Sequence, residues 1–328
     1  MMDLAHGGIL AARAVYVAAT LGIADLVKDG RKSAEELARA TGMHAPSLLR
    51  VLRFLAGLGV LEEDPRGRFR LTPVGATLRS DRPHSLRAYA IFWNEDYHWR
   101  TFGDIVHAVT TGQTAIEHLF RMPLFEFLSK HPEAARHFDG AMTMLSERAL
   151  PEILSAYDFS GIPVLVDVGG GHGSLLAGIL KAYPRMRGIL FDLPQVVAGA
   201  RKRFEGSSVG RRMEIVPGDM FDFVPPGGDA CILKLIIHDW EESSALRILG
   251  NCRKAMNRGA RLLLVEGVIP PRNVPSFVKE VDLEMLLMTG GRERTAEEFR
   301  NLLGGAGFRL KRVLPTRLAL NVIEAVAE

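Results

Sequence analysis

Two cysteines in 328 residues are a small supply. Cys231 and Cys252 form no C-x-x-C and cannot make a disulfide framework, so a reducing cytoplasm is the expected compartment. A surplus of one charge is also missing: 41 basic against 38 acidic residues leave +3, too balanced to imply a nucleic-acid partner. No apolar run approaches the length of a membrane span. The opening MMDLAHGG is acidic rather than basic, unlike a secretory leader, and Arg13 and Asp25 interrupt the apolar residues that follow. That stretch reads instead as an amphipathic helix packed in a core or against another subunit. Internal repeats and low-complexity tracts are absent too. What remains is an ordinary globular composition, 47% apolar and 24% charged, with room for two domains.

The order of elements comes next. Ser33-Ala34-Glu35-Glu36 is a capping box opening a short helix that Gly42 ends. Ala45 to Leu58 repeats Leu48, Val51, Leu52 and Leu55 at helical spacing. Val60–Glu62 and Arg68–Leu71 flank Asp64-Pro65-Arg66-Gly67 and predict a β-hairpin. Helix, turn, helix, hairpin is a winged helix. Residues 86–157 read as mainly helical, broken by Gly112, Pro123 and Pro132. Beyond residue 163, strands alternate with helices, predicting a mostly parallel α/β sheet. The strand candidates are Val164–Val168, Gly188–Asp192, Met213–Pro217, Ala230–Ile237 and Arg261–Val268, with Phe308–Leu314 and Leu318–Val326 closing the chain.

At mid-chain, VDVGGGHGSLLAGIL runs from a strand through a glycine turn into a helix, the first unit of a doubly wound sheet. The dinucleotide fingerprint G-x-G-x-x-G is broken at Ser174; the turn is G-x-G-x-G over Gly169, Gly171 and Gly173. Asp192 ends the second strand, about twenty residues on, where an acid accepts bonds from ribose hydroxyls. It could equally cap the next helix. Asp219, just past the third strand, can take an adenine amino group, with Met220 and Phe221 offering an apolar face to the ring.

DVGGGHG, FDLP, GDMF, LKLIIHDW and GGRERT, in that order, resemble the small-molecule O-methyltransferases of the caffeic acid, acetylserotonin and bacterial polyketide-tailoring type. The likeness covers nearly the whole chain. It implies S-adenosylmethionine as cofactor and no metal, with Gly169 and Gly171 beside the cofactor, Asp192 and Leu193 at the ribose, Asp219, Met220 and Phe221 at the adenine, and Lys234 nearby. It implies a winged-helix-like dimerisation domain over residues 1–90, a helical connector over 91–157 contributing to the substrate pocket, and a Rossmann-like catalytic domain over 158–328. A homodimer without nucleic-acid or membrane partners follows from it.

Methyl transfer to a hydroxyl needs alignment and a better nucleophile. A phenol is mostly protonated at neutral pH, and a neutral imidazole at that proton supplies a base. His238 follows the fourth strand at the same sheet edge as the glycine turn. A loop side chain is the ordinary reading of such a histidine; the resemblance makes it the general base. A carboxylate on Nδ1 would fix its tautomer. The resemblance assigns that role to Glu293, otherwise a charged loop residue between arginines, and secondarily to Glu324. Asp239 either helps place the acceptor or starts the next helix. The remaining histidines, His131, His137 and His172 among them, show no metal-ligand spacing with cysteines or carboxylates.

Other functions remain to be weighed. A winged helix usually binds DNA, but the second helix leaves mainly Ser47, Arg50 and Arg53 exposed, a poor reading face. A relative repurposed for hydroxylation should have lost the base, yet His238, Glu293 and Glu324 are all present. A nicotinamide dehydrogenase conflicts with Ser174. For the acceptor, Phe138 and Met142 share one helix face, and Met285 and Met288 another. Each is as well explained by core packing; together they suit an aromatic or polyketide-like molecule.

Overall fold

The computed structural model describes residues 7–328, so the first six residues of the expected N-terminal helix lie outside the described residues. The chain forms two units: residues up to 100 together with 131–144, and residues 101–130 together with 145–328. The connector expected over 91–157 is therefore not a unit of its own. Its neighbours explain the split. Helix Arg87–Phe92 packs on helix Gly8–Thr20, whereas Ile105–Thr111 and Ala115–Phe120 pack on helix Phe277–Met288.

In the first unit the capping box forms as written. The Ser33 hydroxyl accepts the Glu36 amide at 3.3 Å and the Glu36 carboxylate accepts the Ser33 amide at 2.6 Å, opening helix Ala34–Thr41. Gly42 closes it at φ +73°, a left-handed conformation that costs glycine little. Helix Ala45–Gly57 buries Leu48, Leu52 and Leu55. The hairpin is β2 (Leu61–Glu63) and β3 (Arg68–Leu71), joined by a short strand β1 (Lys32–Ser33) in the order β1-β3-β2. Leu37, Leu52 and Phe69 meet in one core with Ala14 and Ala18 of the first helix. On helix Ala45–Gly57 and beside its ends, Met43, Phe54 and Leu58 are exposed at 46%, 38% and 43%, alongside exposed Arg50 and Arg53.

The second unit holds a seven-stranded sheet of β4 (Val164–Val168), β5 (Arg187–Asp192), β6 (Met213–Pro217), β7 (Gly228–Lys234), β8 (Met256–Glu266), β9 (Phe308–Pro315) and β10 (Asn321–Ala327), ordered β6-β5-β4-β7-β8-β10-β9. The first five in that order run parallel; β10 is antiparallel to both its neighbours. Alternate residues feed two cores. Leu165, Ile232, Leu263 and Val265 face one side, while Val166, Cys231, Leu262 and Leu264 face the other. A sheet covered on both faces needs the unbroken apolar runs read from the sequence. Strand order reverses beside β4, so the carboxyl ends of β4, β5 and β7 border the crevice where open α/β sheets hold ligands. None of the described helices is long and apolar enough to cross a membrane.

Several strand ends differ from expectation; β10, for one, runs Asn321–Ala327 rather than from Leu318 to Val326. β7 stops at Lys234 rather than Ile237, because Leu235 turns left-handed at φ +53° and the amides of Ile236 and Ile237 leave the ladder for the Glu266 carboxylate. β8 starts at Met256 instead of Arg261 and ends on Glu266, two residues short of Val268.

Candidate active site

The glycine turn is left-handed at Gly169, Gly171 and Gly173, with φ of +68°, +57° and +75°. L-residues with a Cβ are strained there. A Cβ on Gly171 would meet nothing within 4 Å, so the turn is open at that residue, while Gly169 and Gly173 pack against Ile236 and Leu190. The Gly171 amide donates to Asp192 Oδ2 at 2.8 Å, and the Leu193 amide donates to Oδ1 at 2.7 Å. Leu193, not Asp192, is the N-cap of helix Pro194–Phe204. The capping alternative for Asp192 therefore falls away, and its carboxylate is held at the mouth of the turn.

Past β6, Asp219 Oδ1 accepts the Phe221 amide at 2.8 Å. The Asn251 side chain donates to the carbonyls of Met220 and Phe221, both at 3.0 Å, clamping that turn. The Phe221 ring meets Trp240 edge-on at 4.6 Å, and Trp240 stacks on Phe125 at 5.7 Å. Beneath, Lys234 ends β7; burial depresses its ammonium, opposed by Asp167, Glu266 and Asp239. Burial pushes the Asp167 carboxyl up to about 7, with Lys234 opposing and Asp192 adding. Asp167 Oδ2 is buried with no hydrogen-bond partner.

His238 lies in a single 3-10 turn, Ile237–Asp239, next to the glycine turn: a Cβ on Gly169 would come within 2.4 Å of Ile236 Cδ1. Its Nδ1 sits 2.7 Å from Glu293 Oε1. With Nδ1–H donating to that carboxylate, Nε2 keeps its lone pair. Asp239 Oδ1 stands 3.7 Å from Nε2, too far for a hydrogen bond. A third carboxylate completes the cluster. Glu266 is fully buried; its Oε1 accepts the amides of Ile236 at 3.1 Å and Ile237 at 2.8 Å, and its Oε2 is left without a partner. One ligand-capable atom each of His238, Glu266 and Glu293 lies within 4.8 Å of the others.

Burial alone would depress the His238 imidazolium. Asp239, Glu266 and Glu293 outweigh it and lift the group to about 10. Burial lifts Glu266 to about 7 and Asp239 to about 6, each against the pull of His238. The cluster titrates as one coupled system. An imidazole in this setting holds a proton strongly, because the surrounding carboxylates stabilise the imidazolium. Gly291 explains how two loops can meet so closely: a Cβ there would stand 2.0 Å from the His238 carbonyl oxygen.

Glu324 is a correction. It lies on β10, paired with Leu263, and its buried carboxylate takes Arg312 Nε at 2.5 Å, Lys311 at 3.6 Å, Arg261 at 3.9 Å and the Tyr157 hydroxyl at 3.4 Å. It ties the last strands together, and Glu266 holds the place beside the imidazole that the sequence reading gave it. A signal existed: Glu266 is a charged residue ending the apolar run Leu262-Leu263-Leu264-Val265 at the sheet's carboxyl edge. Trp240 and Phe125 had no comparable signal.

Of the four pocket candidates, two lie in each unit. Phe138 and Met142 are half-buried on the first unit's part of helix Pro132–Ala156, with Phe138 edge-on to Phe92 at 5.6 Å. Met285 and Met288 are buried on helix Phe277–Met288, their sulfurs 3.5 Å from the Thr289 hydroxyl and 3.2 Å from the Thr101 hydroxyl. The sequence spacing gave no hint of a further cluster, in which ligand-capable atoms of Asp104, His107 and His118 lie within 4.8 Å of one another.

Comparison with known proteins places these features among others like them. A model of the O-methyltransferase domain matches residues 99–309, and one of the O-methyltransferase dimerisation domain matches residues 2–81. The chain is 46% identical over 318 residues to a phenazine O-methyltransferase, PhzM, of Lysobacter antibioticus, covering 97% of this chain and 93% of that protein. Its fold superposes on the crystal structure of LaPhzM with a TM-score of 0.95 at 45% identity, covering 100% of this chain and 98% of the other. An O-methyltransferase from neocarzinostatin biosynthesis, solved with S-adenosylmethionine and 2-hydroxy-5-methyl naphthoic acid, aligns with a TM-score of 0.84 at 32% identity over 97% and 96% of the two chains.

Proposed function

The chain belongs to the O-methyltransferase family, and from that premise we propose that it uses S-adenosylmethionine to methylate a hydroxyl of an aromatic or polyketide-like small molecule, with His238 as general base. The observation that carries this reading is the buried His238–Glu293 contact, 2.7 Å long, beside a glycine turn that is open at Gly171. Gly169, Gly171, Asp192 and Leu193 would hold the ribose end of the cofactor; Asp219, Met220 and Phe221 would hold the adenine. The open cradle at Gly171 and the preset Asp192 carboxylate fit a nucleoside diol. Bound S-adenosylmethionine supplies a methyl group activated by a sulfonium centre.

The chain's own residues do the rest. Glu293 fixes the His238 ring so that Nε2 presents its lone pair to the acceptor hydroxyl. As the oxygen attacks, that proton passes to Nε2, and the surrounding carboxylates stabilise the imidazolium. Turnover requires the neutral ring, so kcat should rise with pH through a midpoint above 6.5, a property of the cluster as a whole. The aromatic acceptor is supported by the relatives, one a phenazine O-methyltransferase by name and another solved with a naphthoic acid bound. The apolar surface of Met43, Phe54 and Leu58, together with the dimerisation-domain match, supports a homodimer. Buried, unpaired Cys231 and Cys252 suit a cytoplasmic protein.

The test is transfer of a labelled methyl group to a panel of hydroxylated phenazines, naphthoates, aliphatic alcohols and sugars. Transfer to the aromatic members is expected, and His238→Ala should cut turnover by about 10²–10⁴-fold with cofactor affinity unchanged. Methylation confined to aliphatic or sugar hydroxyls would overturn the acceptor class. A fully active His238→Ala would overturn the base.

A further inference from the structure

The loop that supplies Glu293 carries two arginines with opposite fates. Arg292 is exposed and pairs with Glu298 at 3.1 Å and Glu242 at 3.5 Å. Arg294 is only 1% exposed, and among the described residues no carboxylate lies within ion-pair distance of it. Its guanidinium spends its donors on backbone. Nη1 donates to the carbonyls of Ile237 at 3.1 Å and Arg292 at 3.2 Å, and Nη2 donates to the carbonyl of Trp240 at 3.2 Å. Nε is buried without a partner.

Burying an unpaired cation is costly, and packing alone would be served better by an apolar side chain. The carbonyls it grips identify what the charge does. Ile237 and Trp240 bracket His238 and Asp239, so the planar fork spans the base-bearing turn from end to end. Lysine, a point charge on a flexible stem, cannot hold two such separated acceptors at once. The clamp is itself anchored. Arg294 bridges Val268 in parallel, and its carbonyl accepts the Ile269 amide at 2.9 Å, just beyond Glu266. Gly291 of the same loop lies against the His238 and Asp239 backbone, leaving the turn no slack on that side.

The charge also has company that needs it. His238 is faced by Asp239 from its own turn, Glu266 from β8 and Glu293 from the adjoining loop; around these, Lys234 from β7 and Glu284 from helix Phe277–Met288 act on Asp239, and Asp282 of that helix accepts the Glu293 amide. Among these the acids outnumber Lys234 heavily, and Arg294 is the second buried cation, acting on Glu266.

We infer that Arg294 is a positioning residue for the base: by spanning the Ile237 and Trp240 carbonyls it fixes the turn that points His238 Nε2 at the acceptor, and its buried charge offsets the surrounding carboxylates. The inference rests on His238 being the base. The test compares Arg294→Lys, Arg294→Met and His238→Ala with the unaltered enzyme in one methyl-transfer assay across pH. Calorimetric titration with S-adenosylhomocysteine checks the cofactor site.

Both arginine variants should bind S-adenosylhomocysteine with affinity close to the unaltered enzyme. In Arg294→Lys, kcat should fall about 10-fold with its pH profile kept, since charge remains and the fork does not. In Arg294→Met, kcat should fall about 10²-fold and the acid limb should move to higher pH, because losing a nearby cation raises the His238 pKa. KM for the cofactor should hold in both. Unaltered kcat and pH profile in either folded variant, with His238→Ala inactive, would overturn the clamp alone. Should Arg294→Met not fold, Arg294→Lys decides: unaltered kcat refutes the clamp, and a fall in kcat at unaltered cofactor affinity supports it. A fully active His238→Ala would remove the base and the clamp with it.

Discussion

Replacing Glu266 by glutamine separates what this residue does for catalysis from what it costs the fold. The amide is nearly isosteric, and its oxygen can still accept the Ile236 and Ile237 amides that Glu266 Oε1 holds at 3.1 and 2.8 Å. Only the charge is lost. With ligand-capable atoms within 4.8 Å, Glu266 stabilises the His238 imidazolium by about 3.5 kcal/mol at an effective dielectric of about 20. Glu293 stays in place, so kcat on the plateau above the acid limb should fall about 10²-fold, and the limb itself should move to lower pH because a carboxylate that raised the His238 pKa is gone.

Stability should move the other way. Burial raises the Glu266 carboxyl from 4.5 to about 7. A carboxyl raised in the folded state favours folding below its unfolded pKa, and that contribution is lost as pH rises through the folded value. At pH 8 the native enzyme therefore carries an ionised Glu266 at a cost of about 3 kcal/mol, which Glu266→Gln removes. Urea unfolding at pH 8 and near pH 4.5 checks the sign: the variant should be more stable at the higher pH and match the unaltered enzyme at the lower. A variant that is both fully active and less stable at pH 8 would refute the reasoning on both counts.

Glu324→Gln should behave oppositely, losing about 2 kcal/mol in urea unfolding as its charged bonds to Arg312, Lys311 and Arg261 weaken. Its kcat per folded molecule should be unchanged; lowered kcat at unaltered stability would return Glu324 to the base. Leu58→Asp, on the exposed apolar surface of the winged helix, should convert a homodimer into monomers by light scattering. An unaltered enzyme that is already monomeric at micromolar concentration would refute that assembly.

Much of the fold was legible because its signals are local. Ser33 and Glu36 cap a helix by their own side chains, and glycines at 169, 171 and 173 supply the left-handed turn that no β-carbon-bearing residue adopts readily. His238 and Glu293 were legible through the order of motifs along the chain. What stayed hidden depends on which residues the sheet brings together. Glu324 and Glu266 are both acids on neighbouring antiparallel strands, and only the register, with Glu324 opposite Leu263 and Asn321 opposite Glu266, says which one reaches the crevice. The end of β7 was misplaced for a similar reason: Ile236 and Ile237 look like strand, but a carboxylate thirty residues away claims their amides. The partners of Met285 and Met288 were equally hidden: the hydroxyls that meet their sulfurs come from Thr289 at the end of the same helix and from Thr101, far off in the chain.

Glu266 closes β8 while its carboxylate holds the amides that end β7, and the two strands are paired in parallel through Lys234 and Val265. The acid beside His238 is thus placed by sheet register, and a side chain one residue out of step points to the opposite face. A single inserted or deleted residue in either strand would turn the acid away from the imidazole even if every apolar position were refilled. Evolution of new acceptors in this scaffold is accordingly confined to substitution and loop change elsewhere, with the lengths of β7 and β8 frozen by the chemistry they carry at their tips.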